Sequence, residues 1–213
     1  GAQNGSYEDG ASALGGNLVL DGTDDYALIP ADPAFQLDTG TLVMEVTPDT
    51  VHDGTIFSRD SNGVDDGGHV RIRVNADGSI DMRTQASAAD TDYTTPTGFY
   101  SAGDDIRITF SWDEGGAGGT FKVENLTQST SHTEAVANDV TWDMGASYNE
   151  PITIGADQDG SSDNTADNLD NFFDGDVSYV SLFDTVEDPG GPLLPITGTA
   201  GVDTLIGDGG DDT

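Results

Sequence analysis

Apolar and polar side chains alternate along most of the chain between residues 18 and 184. The alternation is regular at 41–47, 70–74 and 106–112, where an apolar residue stands at every second position. A period of two is typical of β-strands that bury one face, whereas the period of 3.6 that marks an amphipathic helix hardly occurs. Turns such as Asp77-Gly78 separate the segments and favour tight hairpins. The predicted strands are 18–20, 26–29, 41–47, 70–74, 80–82, 106–112, 121–123, 152–154 and 177–183.

These nine short strands predict an all-β chain folded as an antiparallel β-sandwich. The segment 177–183 departs from the alternation because it carries apolar residues on both faces, which predicts a strand buried on both sides. Leu, Ile, Val and Phe make up only about a fifth of the chain. Folding therefore depends on strictly placed apolar residues, and on cations that neutralise the acidic ones.

Charge narrows the set of possible partners. The 213 residues, 22.1 kDa in mass, include 6 Lys and Arg against 40 Asp and Glu, which gives a formal net charge of −34. Six cations cannot form the basic surface that nucleic acid or an anionic membrane requires, so neither is expected as a partner. The chain has no cysteine and no apolar run long enough to span a bilayer.

The acidic residues are mostly of one kind, 33 Asp against 7 Glu. Asp favours turns, and its carboxylate is a hard oxygen ligand of the kind that calcium prefers. The turn with Asp21, Asp24 and Asp25 is interpreted as turn chemistry rather than as a metal site. Five Asp residues between 157 and 170 repel one another unless a cation lies among them, and this segment is the stronger candidate for calcium.

The composition changes near both ends of the chain. Residues 1–11 are expected to be an N-terminal extension, 12–188 the folded domain, and 189–197 a linker rich in Pro and Gly. After this linker comes a nine-residue unit, 198–206, whose first seven positions are repeated at 207–213. The chain begins at Gly1 rather than at Met, and we expect it to be part of a longer protein.

The unit at 198–213 resembles the RTX, or haemolysin-type, calcium-binding repeat, in which Gly-rich turns alternate with Asp. In such repeats, stacked turns share each ion. Fewer than two units are present, so the tail is not expected to bind calcium well by itself. The matching positions are Gly198, Gly201, Asp203, Leu205, Gly207, Gly210 and Asp212.

The segment 12–188 resembles the laminin G-like, concanavalin A-like jelly roll, in the bacterial branch related to pentraxins. Four pieces occur in the family's order: an opening 18–27 (LVLDGTDDYA), a strand 41–49 that ends near a Pro, the strand 56–59 (IFSR), and a closing strand that begins with Phe173-Asp174-Gly175. The resemblance implies a jelly-roll sandwich. The same fold serves binding modules, spacers and enzymes, so it does not by itself decide the function.

One run within this resemblance carries metal chemistry. Residues 154–159 (IGADQD) are similar to a pentraxin run in which two acidic side chains and a Gln carbonyl hold calcium. The resemblance implies that Asp157 and Asp159 are ligands and that Gln158 offers its backbone oxygen. An acidic loop that is merely solvated, in a protein adapted to salt, is the alternative. Further ligands are expected among Asp163, Asp167, Asp170 and Asn171, and in the loop with Asp60, Asp65 and Asp66.

Catalytic signatures are not found. The seven Glu residues lack the spacing of a glycosidase strand, and no nucleophile elbow or zinc-protease motif occurs. Aromatic rings that stack on sugars are the alternative chemistry, with Tyr93 and Tyr148 as the candidates in predicted loops. Arg59 is a further candidate ligand-binding residue. Arg71, Arg73 and Arg83 lie on neighbouring strands, and pairing with nearby Asp is favoured over binding of an acidic glycan.

These features predict a calcium-dependent carbohydrate-binding or adhesion module of a large secreted bacterial RTX-type protein. The expected partners are a glycan or cell-surface polysaccharide and the other domains of a longer chain, with no membrane insertion. The alternative is a structural spacer or protein-binding domain in which calcium only stabilises the fold. An enzyme that acts on polysaccharides is the least favoured interpretation. A pI near 4.1 and the calcium chemistry both favour an extracellular location.

Overall fold

The chain forms two antiparallel sheets of seven strands each. The computed structural model describes residues 5–59, 69–86, 89–137, 142, 151–158, 166 and 168–186. These residues include no α-helix, and therefore no helix that is long and apolar enough to cross a membrane; a short 3-10 turn lies at Pro33–Phe35. The all-β antiparallel sandwich predicted from the alternation is confirmed.

The first sheet has the spatial order β1-β4-β13-β6-β7-β8-β9, and every neighbouring pair is antiparallel. Its neighbours are often far apart in sequence, since β13 lies between β4 and β6. The strands are β1 (Ser6–Glu8), β4 (Tyr26–Ile29), β13 (Ile152–Ile154), β6 (Gly54–Arg59), β7 (His69–Val74), β8 (Ile80–Ala86) and β9 (Ala89–Thr94).

The second sheet has the spatial order β12-β11-β10-β5-β14-β3-β2 and is also antiparallel throughout. The closing strand β14 lies between β5 and β3, which joins the end of the domain to its beginning. The strands are β12 (Thr130–Val136), β11 (Gly119–Asn125), β10 (Ile106–Asp113), β5 (Thr39–Pro48), β14 (Asp174–Phe183), β3 (Asn17–Asp21) and β2 (Ser12–Leu14).

The core lies between the two sheets and is formed by the apolar positions of the alternation. Ile106, Ile108, Phe110 and Trp112 of β10 are all fully buried, as the period of two requires. Trp112 stacks on Trp142 with 4.3 Å between ring centroids and 13° between ring planes. Burial of these aromatic rings supplies much of the apolar area that stabilises the sandwich.

Part of the segment predicted as an N-terminal extension, 1–11, is paired with the first sheet. Ser6–Glu8 pairs with β4 as an edge strand of the first sheet, and Ser12–Leu14 pairs with β3 in the second sheet. Neither segment shows a regular alternation, because each is a three-residue edge strand with little buried surface. The linker and the tail predicted at 189–213 lie outside the described residues.

Consecutive residues of β14 are buried only at Val180 and Ser181, in contrast to the prediction that 177–183 is buried on both faces. Its register against β5 shifts between Val177 and Tyr179, and Val177 and Val180 are both buried although they are three positions apart. A β-bulge inserts one residue and reverses the faces beyond it. The apparent apolar residues on both faces therefore result from the bulge.

Candidate functional site

Backbone pairing brings acidic residues from distant parts of the sequence to one end of the sandwich, which we call the acidic rim (Asp21, Asp24, Asp25, Asp157, Asp170 and Asp174). Three segments form it: the turn between β3 and β4, residues 155–158, and residues 168–174. Asp21 pairs with Asp174 across β3 and β14, and the backbone of Asp157 pairs with that of Asp170 in both directions.

Two glycines bring these segments into close contact. Gly155 has φ of +97°, and a Cβ there would lie 2.6 Å from Leu20 Cδ1. Gly22 has φ of +73°, and its Cβ would lie 2.8 Å from the Cβ of Asp174. Both positions combine left-handed backbone with a close approach, which only glycine accepts without strain. The β3–β4 turn is thereby held against Gly155 and Asp174.

Asp157 is a partly buried carboxylate with two hydrogen-bond partners. Ser58 Oγ donates to Oδ1 at 3.1 Å, and Arg71 Nη1 donates to Oδ2 at 3.2 Å. The side chain of Asp157 is 14% exposed and that of Arg71 is 15% exposed. Burial raises the pKa of the Asp157 carboxyl, aided by the negative charge of Asp170, and outweighs the opposite effects of Arg71 and Ser58.

The neighbours of Asp157 supply further oxygen ligands. Asp170 is exposed, and its Oδ1 accepts a hydrogen bond from Asn171 Nδ2 at 2.7 Å. Gln158 is buried, and its Nε2 donates to the backbone oxygens of Pro151 and Ser58. Its Oε1 is buried without a hydrogen-bond partner among the described residues. Carboxylate and amide oxygens are ligands that fit calcium in type.

The remaining predicted ligands lie outside the described residues. Among the described residues, four of the predicted metal-site residues lie together: Asp157, Gln158, Asp170 and Asn171. The full ligand set stays a prediction. The others are Asp60, Asp65, Asp66, Asp159, Asp163 and Asp167, together with Tyr148 and the RTX-like positions at 198–213.

A second group of carboxylates lies in the β3–β4 turn. One oxygen each of Asp21, Asp24 and Asp25 lie within 4.8 Å of one another. The predicted turn chemistry is also present, because Thr23 N donates to Asp21 Oδ1 at 2.8 Å and Asp21 N donates to Asp25 Oδ2 at 3.2 Å. The turn therefore closes the backbone and gathers three hard oxygen ligands at once.

Asp25 is a buried carboxylate with negative neighbours, a surrounding that a cation would stabilise. The residue is only 6% exposed. Burial raises the pKa of Asp25, and the negative charges of Asp21, Asp24 and Asp9 raise it further, against a smaller lowering by the Asp21 N–H. The spacing of the three Asp residues was visible in the sequence. Only the folded turn shows that their carboxylates converge and that one of them is buried.

Two predicted ligand-binding residues are not accessible. Tyr93 was expected in a loop, but it lies in β9, is 5% exposed and packs against Phe121. Arg59 is 1% exposed, donates to the backbone oxygen of Trp142 at 2.8 Å and lies over the Trp142 ring. Both side chains point into the sandwich, so neither forms an open platform for a sugar.

The arginines of the first sheet pair with Asp, as the sequence analysis favoured. Arg73 contacts Asp81 at 3.3 Å, and Arg83 contacts Asp92 at 2.7 Å. These pairs neutralise most of the positive charge on the outer face of β7 and β8, which leaves little attraction for an acidic glycan there.

No protein-family model and no curated protein sequence matches this chain. Solved structures match it in fold. The LG1-3 region of the laminin α2 chain superposes with a TM-score of 0.58 and 11% identity over 79% of this chain and 31% of that chain. The enzymatically active domain of tailspike protein 2 from bacteriophage CBA120 superposes with a TM-score of 0.54 and 10% identity. That match covers 84% of this chain and 27% of that chain.

A SAP-like pentraxin from Limulus polyphemus gives a TM-score of 0.48 and 15% identity over 80% of this chain and 76% of that chain. The two sheets and the laminin match show a jelly-roll β-sandwich of the laminin G-like kind, and that part of the resemblance is confirmed. Identity this low shows the fold alone. The chain spans less than a third of the laminin and tailspike chains, so the activities of those longer proteins are not transferred to it.

Proposed function

We propose that this domain is a calcium-dependent carbohydrate-binding or adhesion module of a large secreted bacterial protein. The acidic rim is the observation that carries the proposal. Three carboxylates converge in the β3–β4 turn, the backbones of Asp157 and Asp170 are paired, and burial raises the pKa of both Asp25 and Asp157. A cation that neutralises these charges would stabilise the rim, and calcium accepts the flexible oxygen ligands that Asp-rich loops offer.

In the proposed site, Asp157, the backbone oxygen of Gln158 and Asp159 hold the ion. Further ligands come from Asp163, Asp167, Asp170 and Asn171, and from the loop with Asp60, Asp65 and Asp66. The turn of Asp21, Asp24 and Asp25 is a second place where calcium would bind. Bound calcium neutralises the carboxylates, orders the loops around it and leaves coordination positions for sugar hydroxyls or an anionic group.

The binding interpretation is preferred to an enzyme on chemical grounds. The sequence has no pair of Glu residues at glycosidase spacing, which is the arrangement that a hydrolase of this fold would need. The tailspike match is named as an enzymatically active domain, so the fold by itself does not separate the two classes. The RTX-like tail and the acidic composition support an extracellular parent protein that meets calcium at millimolar concentration.

A glycan array tests the proposal when it is probed in millimolar calcium and again in chelator. We expect binding in calcium that is lost in chelator, because the ion both orders the rim and contacts the sugar. The double variant Asp157→Ala with Asp159→Ala should lose this binding and any increase in melting temperature that calcium causes at the predicted site.

Other outcomes separate the alternatives. Calcium-dependent stabilisation without glycan binding would favour the structural spacer, in which calcium only supports the fold. A double variant that keeps full calcium-dependent glycan binding would show that the predicted ligand set is wrong. A chain that binds neither calcium nor glycan would leave a solvated acidic surface, and the proposal would fail.

A further inference from the structure

The outer face of the first sheet holds three of the five arginines of a chain that has only one lysine. Arg71 and Arg73 lie on β7, and Arg83 lies opposite Arg71 on β8. Arg73 and Arg83 pair with Asp residues of β8 and β9 in the same sheet. Arg71 is different because its partner, Asp157, lies beyond β13 and belongs to the acidic rim.

The Arg71–Asp157 contact is less complete than the neighbouring pair. Arg83 holds Asp92 with two parallel hydrogen bonds, Nε to Oδ1 at 2.7 Å and Nη2 to Oδ2 at 3.0 Å. Arg71 makes one hydrogen bond to Asp157, at 3.2 Å, and its Nε is buried without a partner among the described residues. A two-bond guanidinium–carboxylate pair is the stronger arrangement. The Arg71–Asp157 contact is therefore the less complete of the two pairs, although it is also the less exposed.

We propose that Arg71 is an internal counter-ion that competes with calcium for Asp157. This inference rests on the proposed function, since it concerns a ligand of the proposed calcium site. The guanidinium lies on Oδ2 of the carboxylate, and Ser58 holds the other oxygen. Calcium at Asp157 must therefore displace a positive charge that the protein itself supplies.

The competition sets the calcium concentration at which the site fills. At low calcium, Arg71 neutralises part of the rim and limits repulsion between Asp157 and Asp170. At high calcium, the ion replaces the Arg71 guanidinium at Asp157. The site would then respond to the millimolar calcium found outside cells rather than to traces of the ion.

Calcium titration of Arg71→Gln tests the inference, with Arg73→Gln as the matched control. The two variants lose the same charge, from the same strand and the same face. Removing the competing guanidinium should make calcium bind about three- to tenfold more tightly to Arg71→Gln. Arg73→Gln should stay close to the wild type, because its partner is Asp81. Calorimetry measures the dissociation constants directly.

A second readout uses thermal melting. In chelator, Arg71→Gln should melt at a lower temperature than the wild type, because Asp157 then lacks its counter-charge. Saturating calcium should remove most of that difference. Adding Asp157→Asn to Arg71→Gln should abolish the gain in calcium affinity if Arg71 acts through Asp157.

The outcomes distinguish this inference from the proposed function. Calcium binding that is equal in the wild type and Arg71→Gln, or weaker in the variant, overturns the competition and leaves the calcium module in place. An equal gain in both Arg→Gln variants also overturns it, because the effect would then be general electrostatics. A wild type that binds no calcium overturns both.

A measurement on the wild type keeps the inference testable if Arg71→Gln does not fold. The chain has five arginines, so the side-chain Nε–H signals form a small set in an NMR spectrum. We expect the Arg71 signal to change during a calcium titration with the same midpoint as the binding isotherm, and the Arg73 signal to stay constant. An Arg71 signal that does not move while calcium binds contradicts the inference.

Discussion

Asp25 is a buried carboxylate of the acidic rim and Asp157 a partly buried one, and different charges face them. Asp157 has the guanidinium of Arg71 at 3.2 Å, whereas the charges that act on Asp25 are those of Asp21, Asp24 and Asp9. A buried negative charge that faces only negative neighbours opposes folding unless a cation arrives. At the scale of single residues, Asp25 is therefore the position where removal of a charge should be most informative.

The variant Asp25→Asn should be more stable than the wild type in chelator at neutral pH. The amide keeps the oxygen that accepts the Asp21 N–H and removes the unfavourable charge. If the β3–β4 turn binds calcium, the same variant should lose the part of the calcium-dependent stabilisation that this turn supplies. Urea unfolding at several calcium concentrations measures both effects.

The contribution of Asp25 to folding stability changes with pH in a definite direction. The pKa of Asp25 is raised by folding, so this group stabilises the folded state below its unfolded pKa, and that contribution is lost as the pH rises through the folded pKa. The advantage of Asp25→Asn in chelator should therefore shrink as the pH is lowered. The exposed Asp38, changed to Asn, is the control for a general loss of charge. A variant no more stable than this control in chelator would contradict the expectation.

At the scale of strands, the sequence predicted the strands that alternate clearly and missed the polar strands at the sheet edges. The predicted strands lie at the expected positions because each alternation is a property of a few consecutive residues. β9 and β12 were missed because their sequences, ADTDYT and TSHTEAV, are polar and lie at the sheet edges. An edge strand buries little surface, so its sequence carries a weak signal.

Gly40 in β5 lies where the packing leaves no room for a side chain. A Cβ at this position would lie 2.4 Å from the ring of Trp112 and 2.8 Å from the backbone oxygen of Phe183. We expect Gly40→Ala to destabilise the domain by about 1–3 kcal/mol, as overpacking does elsewhere. Denaturant unfolding of Gly40→Ala, Trp112→Phe and the double variant measures the effect.

The double variant is the control for the cause. If the clash with the indole ring is responsible, the cost of Gly40→Ala should be smaller in the Trp112→Phe background. An equal cost in both backgrounds would assign the effect to the Phe183 backbone instead.

At the scale of the whole molecule, net charge has the largest influence on the conditions under which the fold is stable. A net charge of −34 on 213 residues disfavours the compact state at low ionic strength, because like charges are brought together on folding. The described ion pairs offset only a few of these charges. Salt or bound cations are therefore part of the conditions under which this sandwich is stable.

We expect the melting temperature to rise as sodium chloride increases from about 0.01 M to about 0.5 M, since the screening length falls from about 30 Å to a few ångströms. Calcium chloride at equal ionic strength should raise it further if specific sites exist. Differential scanning calorimetry in the two salts separates these effects. A melting temperature that is insensitive to sodium chloride would show that repulsion is already balanced within the fold.

The sequence by itself determined the class of fold, the position of most strands and the acidic character of the loops, because alternation and turn composition are local properties. The tertiary structure decided which carboxylates meet which charges. Asp157 and Arg71 are 86 positions apart and come together only because β13 and β7 flank β6. Tyr93 and Arg59 turn inward for the same reason: burial depends on which sheet face meets the core, and a short segment does not carry that information.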